Sequence, residues 1–105
     1  MYKRQGLSAY QEIENVMGTA WTLYMFADIA LQRAQPDRAL RLVAASDALL
    51  KQVGGELPAL VVATTGDVGE KARALLDDGT AERVYEEGLA LPYDAAVKYA
   101  LQHQE

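Results

Sequence analysis

The chain alternates between stretches of helical hydrophobic spacing and short segments rich in glycine, proline and aspartate. The most strongly patterned stretch, Thr19 to Leu50, predicts two antiparallel helices joined by residues 34–37. Pro36 suits the first position of the second helix because its missing N–H would be unpaired there anyway. The glycine pair 54–55 supplies a left-handed residue that stops this helix. The pattern therefore predicts a helical hairpin at the centre of the fold.

The two helices of this hairpin differ in how much of their surface is apolar. Apolar residues surround the first helix, which indicates that it is covered on several sides. Its polar stripe, the predicted water-facing edge, consists of Asn15, Thr19, Thr22 and Arg33. The second helix is predicted to pack by one face only, with Arg38, Arg41, Asp47, Lys51 and Gln52 turned elsewhere. The packing face carries Ala39, Leu42, Val43, Ser46, Leu49, Leu50 and Val53.

Two segments precede the hairpin. Residues 7–14 show helical spacing and predict a short separate helix, followed by a turn between Asn15 and Gly18. Residues 1–5 resemble the in-frame translation of a transposon end used in sequencing adaptors, a scar found at broken ends of metagenomic reads. The alternative is an ordinary basic, disordered N-terminus, and both interpretations exclude these residues from the fold.

After the hairpin, Pro58 is placed to start a helix over Ala59–Leu76. Two internal glycines each cost up to about 1 kcal/mol relative to alanine, so this helix is expected to bend, or to break near Thr65 and restart at Asp67. A strand over residues 60–65 is the alternative.

Two further helices complete the chain. Thr80 is predicted to cap a short helix over Ala81–Glu87 that Gly88 closes, and Pro92 opens the last helix. The expected inward residues of the last helix are Ala96, Val97, Ala100 and Leu101. The fold class that follows is all-α, with about five or six helices.

Composition narrows the function. At 105 residues the chain is one domain or less, and its formal charge of -5 argues against nucleic acid, which is held mainly by clustered Lys and Arg. The absence of cysteine excludes disulfides and thiolate chemistry. No apolar run reaches the roughly 18 residues of a membrane span, since Asp28 interrupts the best candidate. A cytoplasmic location is the default expectation.

No residue pattern indicates catalysis. Asp77 and Asp78 are adjacent at a predicted helix end, where neighbouring carboxylates diverge. Residues 64–71 superficially suggest a phosphate loop but lack its Gly-Lys-Ser/Thr ending. His103 is a lone terminal histidine. We therefore expect no catalytic residue, no cofactor and no metal.

The order of several features carries a family resemblance. They are Trp21 to Arg33, the turn Ala34-Gln35-Pro36-Asp37-Arg38-Ala39, the run Arg41-Leu42-Val43-Ala44-Ala45, Pro58, Tyr85 to Gly88, and Gly88 to Val97. From Gly18 to Leu101 this resembles the C-terminal end of the tetratricopeptide-like arrays in bacterial signalling ATPases, including LuxR-type transcriptional regulators. The family's nucleotide-binding loop and DNA-binding helix-turn-helix are absent from this sequence.

Three departures from the family pattern have physical consequences. Ala34-Gln35 replaces a usual Gly-Asp turn, which should weaken the cap between the central helices. Tyr85 stands where tryptophan is common and Ala81 where phenylalanine is common. Both replacements are smaller, so less side-chain volume should pack under the short helix.

The resemblance implies a tetratricopeptide-like helical repeat, an α-α superhelix, with a C-terminal helical cap. Residues 6–57 would form the repeat-like helix pair with its preceding helix, and residues 58–105 the capping helices. An open N-terminal edge, with Leu7, Tyr10, Ile13 and part of the Met17–Phe26 surface exposed, would then favour a homodimer.

Imposing tetratricopeptide register, with Ala39 as the small residue of the second helix, predicts a partner groove on the first helix. Its candidate residues are Trp21, Tyr24, Asp28, Leu31 and Gln32. Such grooves hold an extended peptide or a partner helix. The alternative is that all five pack against the chain's own C-terminal cap, with Asp28 bonded to Gln32 or to a tyrosine hydroxyl.

The expected function is a non-catalytic protein-protein interaction or array-capping module of a larger bacterial regulator. Its partner would be a protein, a peptide or the upstream domains of its own full-length chain, without direct contact to nucleic acid or membrane. The alternative is a small self-contained helical protein whose role is homo-oligomerisation.

Overall fold

The computed structural model describes residues 2–57, 62–63 and 66–102, with side chains described from residue 11 onward. This part of the chain is all-helical, as predicted, and measures 52 × 27 × 26 Å. Its helices are α1 (Tyr2–Gln32), α2 (Pro36–Val53), α3 (Val68–Ala74), α4 (Asp78–Leu89) and α5 (Tyr93–Gln102). At 1.5 Å per residue, α1 is about 46 Å long and nearly spans the longest dimension.

The predicted turn between Asn15 and Gly18 is wrong, because α1 runs through both residues without a break. A glycine stops a helix when it adopts a left-handed conformation, as Gly54 does at φ 68° after α2. Gly18 instead stays helical, and the Thr22 hydroxyl donates a hydrogen bond to its carbonyl oxygen at 2.9 Å. Residues 7–14 therefore lie within the first half of α1 and are not a separate helix, and residues 2–5, which were expected to lie outside the fold, belong to the same helix.

The connection between α1 and α2 forms where it was predicted. Ala34 adopts a left-handed conformation at φ 60°, and the Gln35 backbone N–H closes the turn on the Ala30 carbonyl oxygen at 2.9 Å. Pro36 then begins α2, as expected, but the Gln35 side chain makes no cap hydrogen bond. Ala34, which carries a Cβ, thus occupies a left-handed position that glycine adopts at lower energetic cost.

The first helix contacts α2, α3 and α5, as its apolar character predicted, but the predicted one-sided packing of the second helix is wrong. It is α2 that lies at the centre, in contact with α1, α3, α4 and α5, whereas α1 exposes Met25 and Ile29. Arg38, Leu40 and Ala44 are buried although none lies on the predicted packing face. Four covering helices leave α2 little surface for water, which is why one-sided packing was the wrong expectation.

Gly88 lies inside α4 and does not end it, contrary to prediction. A Cβ at this position would collide with the Arg41 carbonyl oxygen and would lie 2.6 Å from the Ala44 Cβ. The missing side chain therefore lets the backbone of α4 approach α2 closely. Packing, and not a helix stop, requires glycine here.

The segment before α3 breaks, which confirms one of the two expectations for it. Gly66 is left-handed at φ 74°, and Asp67 caps α3 by accepting a hydrogen bond from the Glu70 backbone N–H at 3.0 Å. Pro58 and most of the proposed strand 60–65 lie outside the described residues, and residues 62–63 are helical.

The cap of α4 lies three residues earlier than predicted. Asp77, and not Thr80, is the N-cap, because its carboxylate accepts from the Thr80 backbone N–H at 3.0 Å and from its hydroxyl at 2.7 Å. These hydrogen bonds lower the pKa of Asp77. The adjacent carboxylates of Asp77 and Asp78 thus begin a helix, as the sequence indicated.

Candidate interaction surfaces

Tyr24, a predicted groove residue, lies in the core. Its side chain is 3% exposed, its hydroxyl donates to the Gly66 carbonyl oxygen at 2.8 Å, and it accepts from the Val68 backbone N–H at 3.1 Å. The ring thus fastens the start of α3 to α1. Tyr24 is not open to a partner in this structure, which corrects the groove prediction at this position.

The other four groove candidates lie closer to the surface. Trp21 is half-buried, and its indole N–H donates to the Glu56 carbonyl oxygen at 3.3 Å. Asp28 accepts from the Gln32 amide at 2.9 Å, as the alternative interpretation expected, and Leu31 packs partly against the core. The chain's own residues around 56 and 66–68 therefore cover the middle of the proposed groove.

The N-terminal edge offers a second surface. Ile13 is 43% exposed, as expected, and lies with Val16 and Val53 along an open groove of about 470 Å³. Met17 is half-buried against Gly55. The side chains of Leu7 and Tyr10 lie outside the described residues.

The outward face of α1 forms a third surface, which we name the outer seam and define as Gly18, Thr22, Met25 and Ile29. Met25 is 45% and Ile29 43% exposed, and the two lie one turn apart. A Cβ at Gly18 would have no atom within 4 Å. The sequence analysis placed Thr22 at the water-facing edge but missed Met25 and Ile29, because it expected the apolar residues of this helix to be covered.

Three residues of the predicted water-facing stripe, Asn15, Thr22 and Arg33, are exposed as expected, whereas Thr19 is half-buried beside α5. The Thr19 hydroxyl shares a hydrogen bond of 2.7 Å with the Tyr93 hydroxyl. Between the two helices runs a groove of about 540 Å³, whose apolar lining includes Phe26, Val97 and Leu101. Leu101, predicted to point inward, is largely exposed beside this groove.

Arg38 ties the start of α2 to the end of α5. Its guanidinium donates to the carbonyl oxygens of Ala100 at 2.9 Å and Tyr99 at 3.3 Å, and it lies 5.1 Å from the centroid of the Tyr99 ring. These carbonyls belong to the last turn of α5, which lacks intrahelical donors and carries the negative end of the helix dipole. The arginine therefore acts as a structural cap.

A second polar cluster joins α2, α3 and α4. The Tyr85 hydroxyl donates to the Asp47 carboxylate at 2.8 Å, and the Arg73 guanidinium lies 4.8 Å from the centroid of the Tyr85 ring. Burial raises the pKa of Asp47, and burial together with Asp47 raises the pKa of Tyr85 to about 12. We name the cluster of Asp47, Tyr85 and Arg73 the clamp, because its contacts link α2, α4 and α3.

No family model, no curated protein and no solved structure is similar to this chain. Within the described residues, no cluster of three or more His, Cys, Asp or Glu side chains is arranged to hold a metal ion. No described helix combines the length and the apolar character that crossing a membrane requires.

Proposed function

We propose that the chain is a non-catalytic association module from a larger cytoplasmic bacterial signalling or LuxR-type transcriptional regulator. In this proposal the pair of α1 and α2 acts as a tetratricopeptide-like unit, and α3 to α5 act as its C-terminal cap. The observation that carries the proposal is the outer seam, where Met25 and Ile29 expose adjacent apolar surface on one face of α1. Adjoining exposed apolar side chains on one helix face are the core from which an association surface could be built.

The packing of the hairpin supports a repeat-like unit. Ala20, Ala27 and Ala39 are buried, and the Ser46 hydroxyl of α2 donates to the Ala20 carbonyl oxygen of α1 at 2.7 Å. Small residues allow the two helices to approach closely, as stacked repeats require. The following long helix, α4, then packs on α2.

The length of α1 differs from that of a helix in a tetratricopeptide repeat. A tetratricopeptide repeat of 34 residues holds two helices, whereas α1 alone has 31 residues. Only the part of α1 from about Thr19 onward therefore corresponds to the first helix of a repeat. In an array, the outer seam would receive the last helix of the preceding unit.

A fusion tests this stacking. The chain would be joined after a consensus tetratricopeptide repeat, and thermal unfolding of the fusion would be compared with that of the separate parts. Stacking on the outer seam predicts one cooperative transition at a higher temperature, because neighbouring repeats stabilise each other. Ile29→Lys should uncouple the two parts, whereas Leu75→Lys, at a 64% exposed position on a different surface, should not.

Two independent transitions in the wild-type fusion, unchanged by Ile29→Lys, would contradict the proposal. A complementary test is to determine the coding sequence around this chain in its source DNA. A nucleotide-binding domain upstream or a DNA-binding domain downstream is the expected outcome for a regulator.

The second candidate function is that of a small helical protein whose role is homo-oligomerisation. The continuous α1 favours it, because residues 7–14 do not form the second helix of a preceding repeat. Candidates for a peptide contact remain at the surface in both cases, namely Trp21, Asp28, Leu31 and Gln32.

A further inference from the structure

The outer seam has the spacing of a helix-helix contact. Its residues Gly18, Thr22, Met25 and Ile29 follow one another at intervals of four, three and four residues, which is the spacing of a heptad seam. We propose that a second copy of this chain occupies the seam, with the two α1 helices packed antiparallel. This inference rests on the proposed function in that it takes the seam as an association surface, and it names a second copy as the occupant in place of a preceding repeat.

The shapes along the seam fit an antiparallel copy. A two-fold axis between Thr22 and Met25 places Thr22 opposite the partner's Met25 and Gly18 opposite the partner's Ile29. The open space over Gly18, where a Cβ would meet no atom within 4 Å, receives the isoleucine side chain. A parallel pairing in register would instead place Gly18 against Gly18 and leave a gap.

Burying this seam leaves no polar group unsatisfied at its centre. The Thr22 hydroxyl already donates to the Gly18 carbonyl oxygen at 2.9 Å, so it presents its methyl group to a partner. An unsatisfied hydroxyl would cost about 1–3 kcal/mol on burial. The only polar side chain among the four seam residues is thus compatible with a dry contact.

Charge complementarity supports the same register. Glu12 and Arg33 are exposed and flank the seam on the same side at its two ends. In antiparallel heptad packing such flanking positions face one another, which brings Arg33 against the partner's Glu12. Two-fold symmetry repeats this ion pair at the other end. In the described part of the chain, neither residue forms an ion pair of its own.

The groove between α1 and α5 enlarges the contact. A stable interface buries about 800 Å² per partner, which is more than Met25 and Ile29 alone supply. The groove meets the seam at Thr22 and adds apolar surface from Phe26, Val97 and Leu101. A helix laid on the seam covers the open side of this groove.

Light scattering of the full chain over a wide concentration range tests whether a second copy binds. The wild-type mass should rise from one chain to two. Ile29→Lys should keep the chain monomeric, because it places a charge where the isoleucine would pack over the partner's Gly18. Leu75→Lys replaces a more exposed leucine outside the seam and should leave the dimer intact.

Exchanging the charges of Glu12 and Arg33 tests the antiparallel register of the two α1 helices. Glu12→Arg and Arg33→Glu should each weaken the dimer about two- to thirtyfold, since each variant breaks both symmetric copies of an exposed ion pair and each pair contributes up to about 1 kcal/mol. The double variant should restore the affinity. Because the chain contains no cysteine, Thr22→Cys mixed with Met25→Cys should form a disulfide-linked pair that Ile29→Cys alone does not form.

A monomeric wild type at every concentration would overturn the inference, as would a dimer that Ile29→Lys leaves unchanged. Efficient self-linking of Ile29→Cys would refute the antiparallel arrangement. These results can be separated from a failure of the proposed function. A monomeric chain whose fusion to a consensus repeat still depends on Ile29 refutes only the second copy.

Discussion

At the scale of single residues, two positions lower the stability of the fold, one through its backbone conformation and one through a half-buried charge. Ala34 occupies a left-handed conformation, at φ 60°, that glycine adopts without the steric cost of a Cβ. Asp47 holds a carboxylate in a half-buried site, where burial raises its pKa. Each of these residues therefore lowers the free energy of unfolding, and a specific substitution should restore it.

Ala34→Gly should stabilise the chain. The change removes the strain of the left-handed alanine and should raise the free energy of unfolding by about 0.5–1 kcal/mol. Denaturant titration measures this effect. Ala74→Gly is the matched control, because Ala74 is exposed within α3 and the same change there should destabilise. A destabilised Ala34→Gly variant would show that the turn is not strained.

Asp47→Asn should stabilise the chain at neutral pH. The raised pKa of Asp47 means that this group favours the folded state fully below its unfolded pKa, and that this contribution is lost as the pH rises through the folded pKa. Asparagine still accepts the Tyr85 hydrogen bond but has no charge to bury. Its advantage over wild type should therefore be present at pH 7 and absent at about pH 3.

Tyr85→Phe provides the contrast at this cluster. It removes the donor that lies 2.8 Å from the Asp47 carboxylate and leaves that carboxylate half-buried without this hydrogen bond. We expect the free energy of unfolding at pH 7 to fall by about 1–3 kcal/mol. Denaturation midpoints of both variants across pH measure the two effects, and equal behaviour of the two would contradict the clamp.

At the scale of the helices, two glycines with opposite requirements decide how α1 and α4 pack. Gly18 faces open space in the single chain, whereas Gly88 lies where a Cβ would collide with the backbone of α2. Both glycines occur inside helices and look alike in the sequence. The difference between them arises only from the neighbouring element.

Gly18→Ala and Gly88→Ala should therefore change stability in opposite directions. Gly18→Ala should stabilise the dilute, single chain by about 1 kcal/mol, because alanine is the better helix former and meets no neighbour. Gly88→Ala should destabilise it by about 1–3 kcal/mol, because α4 must move away from α2. Thermal unfolding at low protein concentration compares the pair, and a neutral Gly88→Ala would contradict close packing.

At the scale of the whole molecule, α2 contacts every other helix, and one of its side chains caps the last helix. Arg38 caps the α5 carbonyls at 2.9 and 3.3 Å while lying only 9% exposed. Arg38→Met keeps the apolar stem but removes these charge-assisted hydrogen bonds. We expect α5 to lose protection first while α1, α2 and α4 stay folded.

Hydrogen exchange of the backbone amides measures this local opening. Amides of α5 in Arg38→Met should exchange about tenfold faster or more, which corresponds to the loss of about 1.5 kcal/mol or more from hydrogen bonds to a charged group. Arg83→Met is a control, since Arg83 is an exposed arginine of α4. Uniform acceleration in all helices would show that Arg38 supports the entire core and not α5 alone.

The sequence predicted the helical class and several element ends because those signals are local. Pro36 marks the start of α2, Gly54 its end, and Gly66 with Asp67 the break before α3, since each acts on φ or on a nearby N–H group. The paired Asp28 and Gln32 were also predictable from their spacing of one helical turn. The candidate groove was only partly predictable, because the burial of Tyr24 depends on Gly66 and Val68, more than 40 residues away.

By itself, the sequence determined that this chain forms helices and where most of them are interrupted, since propensity and capping act within a few residues. The tertiary structure decided that α2 is central, that Arg38 is a buried cap, and that Gly88 is a point of close contact. It also decided that Met25 and Ile29 face outward. Helical periodicity predicts which residues share a face, but only the neighbouring helices determine whether that face is covered.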